Sequence, residues 1–252
     1  MIQLLSLLLT AAPPTPIQSA ERLEPIGWSA DQHTVALRVF FGTTHSELEP
    51  CPGYIDAAGK PFDIGLAIVV LRDGVVLHSF VIQAPPFNGS CTDLADAKKA
   101  LEAAKKKLEE LGIDRSAPGT VLAVTMDKGK ATSRTKDEAV LSTWKETWRA
   151  KNGDATPLEI VATMNDTFAE DTYHTVNASF AWKLRSNEAE RSGTLKLRPF
   201  DWSLNMAGGF SWRLHVFASP NGENVVAFIR QSFSNMRGGS SISTLLPLDA
   251  KK

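Results

Sequence analysis

Four residues that could share chemistry, Asp166, Glu170, Asp171 and His174, fall within a nine-residue stretch between two apolar runs. Carboxylate oxygens at this density suit a hard cation such as Ca²⁺, and a carboxylate near a histidine suits proton transfer. The expectation is a loop from Asp166 to His174, with Asp166, Glu170 and Asp171 as candidate metal ligands. Their spacing follows no established calcium loop, and a solvated loop tip is the plain alternative. Ser-x-x-Lys, a pattern of acyl-serine enzymes, occurs at Ser133…Lys136 and Ser142…Lys145, and Ser203-Leu204-Asn205 mimics a companion motif. No Lys-Thr-Gly follows, and Ser-x-x-Lys arises about once by chance in a chain of this size.

Other searches exclude more than they find. The chain has no phosphate loop, no Gly-x-Gly-x-x-Gly, no Gly-x-Ser-x-Gly, no Cys-x-x-Cys and no His-Glu-x-x-His. His33, His45, His78, His174 and His215 are scattered without metal-ligand spacing. Trp144, Trp148, Trp182, Trp202 and Trp212 fall in the second half; indoles in an exposed row would form a platform for sugar rings or a protein. Trp182 and Trp212 stand in phase with apolar strand faces and belong to a core. Trp202, in Pro199-Phe200-Asp201-Trp202, is the candidate exposed binding residue. Asn88, Asn165 and Asn177 begin Asn-x-Ser/Thr sequons.

These residues need elements to position them, and the strongest signals are hairpins. Ser219-Pro220-Asn221-Gly222 separates Trp212–Phe217 from the branched, aromatic run Val225–Ile229. Proline presets the first corner and Asn-Gly supplies the left-handed positions. Trp28-Ser29-Ala30-Asp31-Gln32-His33-Thr34-Val35 is an imperfect echo near the other end. Arg72-Asp73-Gly74 joins two further strands, 62–71 and 75–83. Asp127-Lys128-Gly129 reads as the turn of another hairpin. Val176, Ala178, Phe180, Trp182 and Leu184 alternate with polar residues, as a half-buried strand does.

Two helices are expected mid-chain. Over 92–111, Leu94, Ala97, Leu101, Ala104, Leu108 and Leu111 repeat at three and four, and Gly112 stops the run. Over 137–151, Thr135 and Glu138 form a capping box, Trp144 and Trp148 stand four apart, and Gly153 follows. The fold class is therefore α+β, mostly β, built of antiparallel hairpins and sheets. Residues 21–252 form one β-rich domain, divisible into lobes 21–127 and 155–250 joined by the helix 137–151.

A chain of 252 residues with 43% hydrophobic content can bury a large core. Its net charge of −1, from 27 basic and 28 acidic residues, gives no global field for nucleic acid. Leu4-Leu5-Ser6-Leu7-Leu8-Leu9 is too short to span a bilayer, and with the small residues after it reads as a signal peptide over 1–20. Cleavage fits after Ala20 or Ala12. The two cysteines, Cys51 and Cys91, are then expected to form one disulfide, two unrelated buried thiols being the alternative. Closing that loop of about forty residues stabilises by roughly 4 kcal/mol.

The chain resembles a family of predicted secreted bacterial proteins known only as a domain of unknown function, over roughly residues 26 to 246. The resemblance rests on Trp28-Ser29-Ala30-Asp31 with Val35-Ala36-Leu37, the strand 67–71 and the helix closing on Leu111-Gly112-Ile113. It continues in Ser219-Pro220-Asn221-Gly222 and Gly238-Gly239. The two hairpins also resemble those of β-propeller blades. The family resemblance implies export and brings no catalytic residues. The expectation is a secreted or periplasmic, non-catalytic protein binding a protein or polymer of the cell envelope, without cofactor, nucleic acid or membrane span. The alternatives are a hydrolase or metal-dependent enzyme using the Asp166–His174 loop, and a carbohydrate-binding module.

Overall fold

The computed structural model describes residues 20–41, 65–83, 92–136, 139–153, 155–169, 173–185, 190–197, 200–203, 210–235, 238–246 and 248. In chain order the first elements are β1 (Ala20–Ser29), β2 (Thr34–Phe41), β3 (Gly65–Arg72), β4 (Val75–Gln83) and α1 (Leu94–Glu110). Next come β5 (Ile113–Asp114), β6 (Thr120–Val121), β7 (Ala123–Lys128), β8 (Thr132–Lys136), β9 (Ala139–Asn152), β10 (Ala155–Ala169) and β11 (Tyr173–Arg185). Last are β12 (Glu190–Lys196), β13 (Phe200–Ser203), β14 (Phe210–Ala218), β15 (Val225–Asn235) and β16 (Gly238–Leu245).

All described pairings are antiparallel and make three sheets. The first has the order β4-β3-β2-β1-β5 and the second β16-β15-β14-β6. The third has the order β12-β11-β10-β9-β7, with β8 on β9 and β13 on β11. The mostly β, antiparallel class is as read from the sequence. Of the two expected helices only α1 forms; 139–152 is strand β9, paired in register with β10 from Leu158↔Ala150 to Phe168↔Val140. A spacing of four satisfies a strand's alternation as well as a helix's turn, so Trp144 and Trp148 share a face in either. Pairing with β10 decides between them. The stretch expected to join two lobes as a helix is β9, and β6 of the first half pairs with β14 of the second.

The layers follow from alternation. Ala36, Ile68, Val70 and Ile82 of the five-stranded sheet pack with Ala97, Ala104 and Leu108 of α1. The opposite face, including Leu37, Val39, Val69 and Trp28, packs with Phe217, Val226 and Phe228 of the four-stranded sheet. That sheet's other face, Leu214, Val216, Val225, Ala227 and Ile229, packs with Trp148, Ile160, Met164, Phe180 and Trp182 of the long-stranded sheet. The order of layers is thus α1, five strands, four strands, seven strands. Because the first half of β15 is buried on both sides, Val225–Ile229 is continuously apolar instead of alternating.

The two echoing turns have the same internal bonds. Thr34 N–H donates to Ser29 Oγ and Asn224 N–H to Ser219 Oγ, both at 3.0 Å. Ser29 Oγ donates to Asp31 Oδ1 at 2.5 Å, and Ser219 Oγ to Asn221 Oδ1 at 2.7 Å. Those oxygens accept from His33 N–H and Glu223 N–H at 3.1 and 3.0 Å. Gln32 and Gly222 take φ of 58° and 76°, the left-handed position that each turn requires. The tips touch where Asn221 N–H donates to Gln32 Oε1 at 3.1 Å.

Gly119 lies between two sheets: a Cβ there would lie 2.2 Å from Ala218 O and 2.6 Å from Trp28 Nε1, at a φ of +78°. Gly112, φ +62°, caps α1 with nothing within 4 Å of a Cβ. Gly119→Ala is therefore expected to cost about 3 kcal/mol, strain plus collision, whereas Gly112→Ala costs about 1 kcal/mol of left-handed strain alone. Urea midpoints of the two variants check this; equal losses would show that Gly119 has room.

Candidate functional site

β7 and β8 both pair with β9, in registers ending at Lys128↔Glu146 and resuming at Thr132↔Thr143. Three residues on one side therefore face two on the other, which is a β-bulge. Gly129 N–H donates to Lys145 O at 2.7 Å, and a Cβ on Gly129 would lie 2.7 Å from that same oxygen. The expected turn at Asp127-Lys128-Gly129 is this bulge in a continuing edge. Its extra residue reverses the faces, so Thr132 shares the outward face with Thr143.

Beyond the bulge, the long strands continue past the last rung of the core cluster, Trp144–Met164–Ala178. There they carry a groove of about 680 Å³. One rung supplies Thr132, Thr143 and Asn165; the adjacent rung supplies Ser133, Ser142 and Asp166. Lys130, Arg134 and Lys145 complete it with Leu141, and all three cations are exposed. Thr143 Oγ1 donates to Asn165 Oδ1 at 2.8 Å, and Ser133 Oγ and Ser142 Oγ share a hydrogen bond of 3.0 Å. Successive rungs point to opposite faces, so the groove draws on both sides of the sheet's end.

On the same outward face, Arg149 Nε donates to Glu159 at 2.8 Å and its guanidinium also pairs with Asp127. Glu159 first and Asp127 second raise the Arg149 pKa, fixing its charge. A shallower depression of about 350 Å³ lies two strands across, with Glu159, Lys183, Ser192 and Thr194 in its lining. On the core face behind it, a Cβ on Gly193 would lie 2.4 Å from the Trp182 ring.

The expected Asp166–His174 loop is mostly strand. Asp166 is in the last third of β10, opposite Ser142 and Val176, and the His174 backbone pairs with Phe168 and Trp202. Glu170, Asp171, Cys51 and Cys91 lie outside the described residues. Trp202 lies on β13, and its side chain is likewise not described. Among the described residues no three His, Cys, Asp or Glu side chains are grouped to hold a metal. Ser142 and Lys145 are both on β9, where a separation of three puts them on opposite faces; the dyad of acyl-serine enzymes needs them on one. Trp28, Trp148 and Trp182 are buried, and Trp144 and Trp212 pack against the core, so these five indoles make no platform.

One constellation has no sequence signal. The β2–β3 register places Thr34 opposite Arg72 and brings His33 Nδ1 within 2.8 Å of Asp73 Oδ1. Arg72 reaches Asp31 at 3.4 Å. Ser29, Asp31, His33 and Asp73 have the composition of an acid–base site, but the Ser29–Asp31 bonds recur at Ser219–Asn221 without the acid. They hold a turn. The Ser29 hydroxyl, then the His33 amide, keep the Asp31 carboxyl below its ordinary pKa.

No protein-family model, no curated protein and no solved structure matches the chain.

His215, on β14 opposite Phe228, is half-buried, and its Nε2 has no hydrogen-bond partner among the described residues. Burial first, then Arg230 and Arg213, hold its pKa below the ordinary 6.5. Between the folded and unfolded values the unfolded chain binds more protons, so stability is full above 6.5 and falls as pH drops below it. Melting followed from about pH 7.5 to pH 5 is expected to show this decline, flattened in His215→Gln. An unchanged slope in the variant would remove His215 as its source.

Proposed function

We propose that the protein is an exported, non-catalytic binding protein of the cell envelope, whose ligand is an extended, acidic, hydroxyl-rich polymer. The observation that carries this reading is the groove beyond the Gly129 bulge. Three exposed cations, Lys130, Arg134 and Lys145, stand there against one carboxylate, Asp166. Hydroxyls of Thr132, Ser133, Ser142 and Thr143 and the Asn165 amide lie between them. Such a lining offers charge-assisted donors to carboxylates and mixed donors and acceptors to hydroxyls. The second depression shares the outward face, and rungs on one face of a strand repeat at about 7 Å. A linear chain crossing from Asn165 to Glu159 would cover three such steps, about 20 Å.

Export rests on the apolar leader. Ala20 is 1% exposed and its carbonyl accepts from Ser243 Oγ at 3.1 Å, so a leader removed before Ala20 leaves β1 whole. The mature chain from an envelope fraction is expected to retain Ala20 and to be two hydrogens light until reduced, from a Cys51–Cys91 bridge. Intact mass reads both. A full-length, reduced species in the cytoplasm would refute export and the bridge together.

Binding is tested by titration with a polyuronate such as alginate, with neutral dextran as control. Affinity is expected for the polyuronate only, weakening with added salt, and reduced about tenfold or more in Arg134→Ala/Lys145→Ala. Equal binding of dextran, or an unaffected double variant, counts against the groove. Shortening of the polymer during incubation, seen by size exclusion, would instead support the enzymatic alternative.

A further inference from the structure

A strand at the end of a sheet presents alternate peptide groups to whatever lies beside it, and soluble proteins guard such edges with charges, proline or brevity. The described edges mostly follow that rule. β12 carries Glu190, Arg191 and Lys196, the β7–β8 edge carries Asp127, Lys128 and Lys130 around its bulge, and β5 and β6 are two residues each. Two edges depart from it: β16, whose eight residues Gly238–Leu245 carry no charge or proline, and β4. The nine residues of β4, Val75–Gln83, include no charged residue and no proline, and among the described residues β4 pairs with β3 alone.

β4 also exposes apolar surface: Val75 62%, Val76 40%, Leu77 43% and Val81 44%. Those four are the majority of the seven large hydrophobic side chains exposed among the described residues. The face of β3 beside them is fully buried under the four-stranded sheet, with Ala67 and Leu71 opposite Val81 and Val76. The apolar layer therefore runs out past its cover at this edge. Two bulges in the β3–β4 pairing add local twist but place no charge there.

The sequence of β4 identifies an occupant. Written antiparallel to itself about Ser79, the strand sets Leu77 opposite Val81 and His78 opposite Phe80. Apolar residues meet in the first pair and two rings in the second, while Ile82 is buried toward α1 and takes no part. No charge of either sign is brought across the dyad, so nothing in the strand opposes its own copy. Two-fold pairing is self-complementary by construction, because every contact is made twice.

We propose that β4 pairs with β4 of a second copy, antiparallel and centred on Ser79, joining two five-stranded sheets into one continuous sheet. The layer would carry α1 and its mate on one face. This pairing does not involve the groove, so two copies could hold one polymer at two points.

Sedimentation of the full mature chain at concentrations up to about 100 μM tests it. The expected result is a dimer for the native chain and a monomer for Leu77→Lys/Val81→Lys. Both substituted positions are exposed, and an unchanged circular dichroism spectrum verifies the fold. Ser79→Cys is expected to yield a covalent dimer with a short bismaleimide, and peptide mapping to show the two copies joined through the thiols introduced at position 79. A monomeric native chain overturns the proposal, and would leave a segment of the same chain or a foreign strand as the occupant. So would a dimer that survives the double lysine variant, or mapping that finds no link between the two substituted positions.

Discussion

The two-sided burial of the β14–β15 hairpin is the constraint on which the remaining layers depend. Phe217, Val226 and Phe228 face the five-stranded sheet, while Leu214, Val216, Val225, Ala227 and Ile229 face the seven-stranded one. Each large side chain buried here contributes about 1.5–3 kcal/mol, and among the described residues neither outer sheet has another apolar partner for its inner face. Phe217 and Phe228 meet edge to face at 6.2 Å and 71°, which also fixes the register across the hairpin. The Ser219 turn then closes both strands at the correct length, and its contact with Gln32 aligns it with the equivalent turn of the neighbouring sheet.

The same layering explains where polar chemistry can appear. β9, β10 and β11 run 14, 15 and 13 residues, longer than the four-stranded sheet can cover. Where the cover ends, polar side chains such as Ser142 and Asp166 enter the inward face, although Val176 opposite Asp166 is still fully buried. Ser142 and Asp166 sit at positions in phase with Trp148 and Ile160, yet lie past the core rungs. The groove is thus a consequence of unequal strand lengths together with the Gly129 bulge. Its three cations come from the bulged edge and its neighbour, which are adjacent only through the β8–β9 pairing.

Much of the fold was legible because hairpin chemistry is local. Asp73 and Gly74 take φ of 47° and 74°, the two left-handed positions that an Asp-Gly turn supplies. The stripe of α1 was equally clear, with Ala97, Ala104 and Leu108 buried as their spacing requires. The stretch 137–151 misled because a capping pattern and a four-residue tryptophan spacing are compatible with both periods. What separates them is the partner strand β10, and no local signal names it. The site was harder still. Asp166 was legible as a polar residue near others, but its true neighbours, Ser142 and Ser133, are contributed by two other strands.

By itself, the sequence determined the turns at Ser29, Asp73 and Ser219, the amphipathic helix α1, the antiparallel β character and the core placement of Trp182 and Trp212. Each rests on interactions within about ten residues, where side-chain type and backbone preference are sufficient. Tertiary structure alone decided the three-sheet stacking, the strand identity of 139–152, the Gly129 bulge and the assembly of the groove. Those depend on register between segments far apart in sequence. Register is set by which apolar faces can be buried together, a property of pairs of strands that no single strand carries.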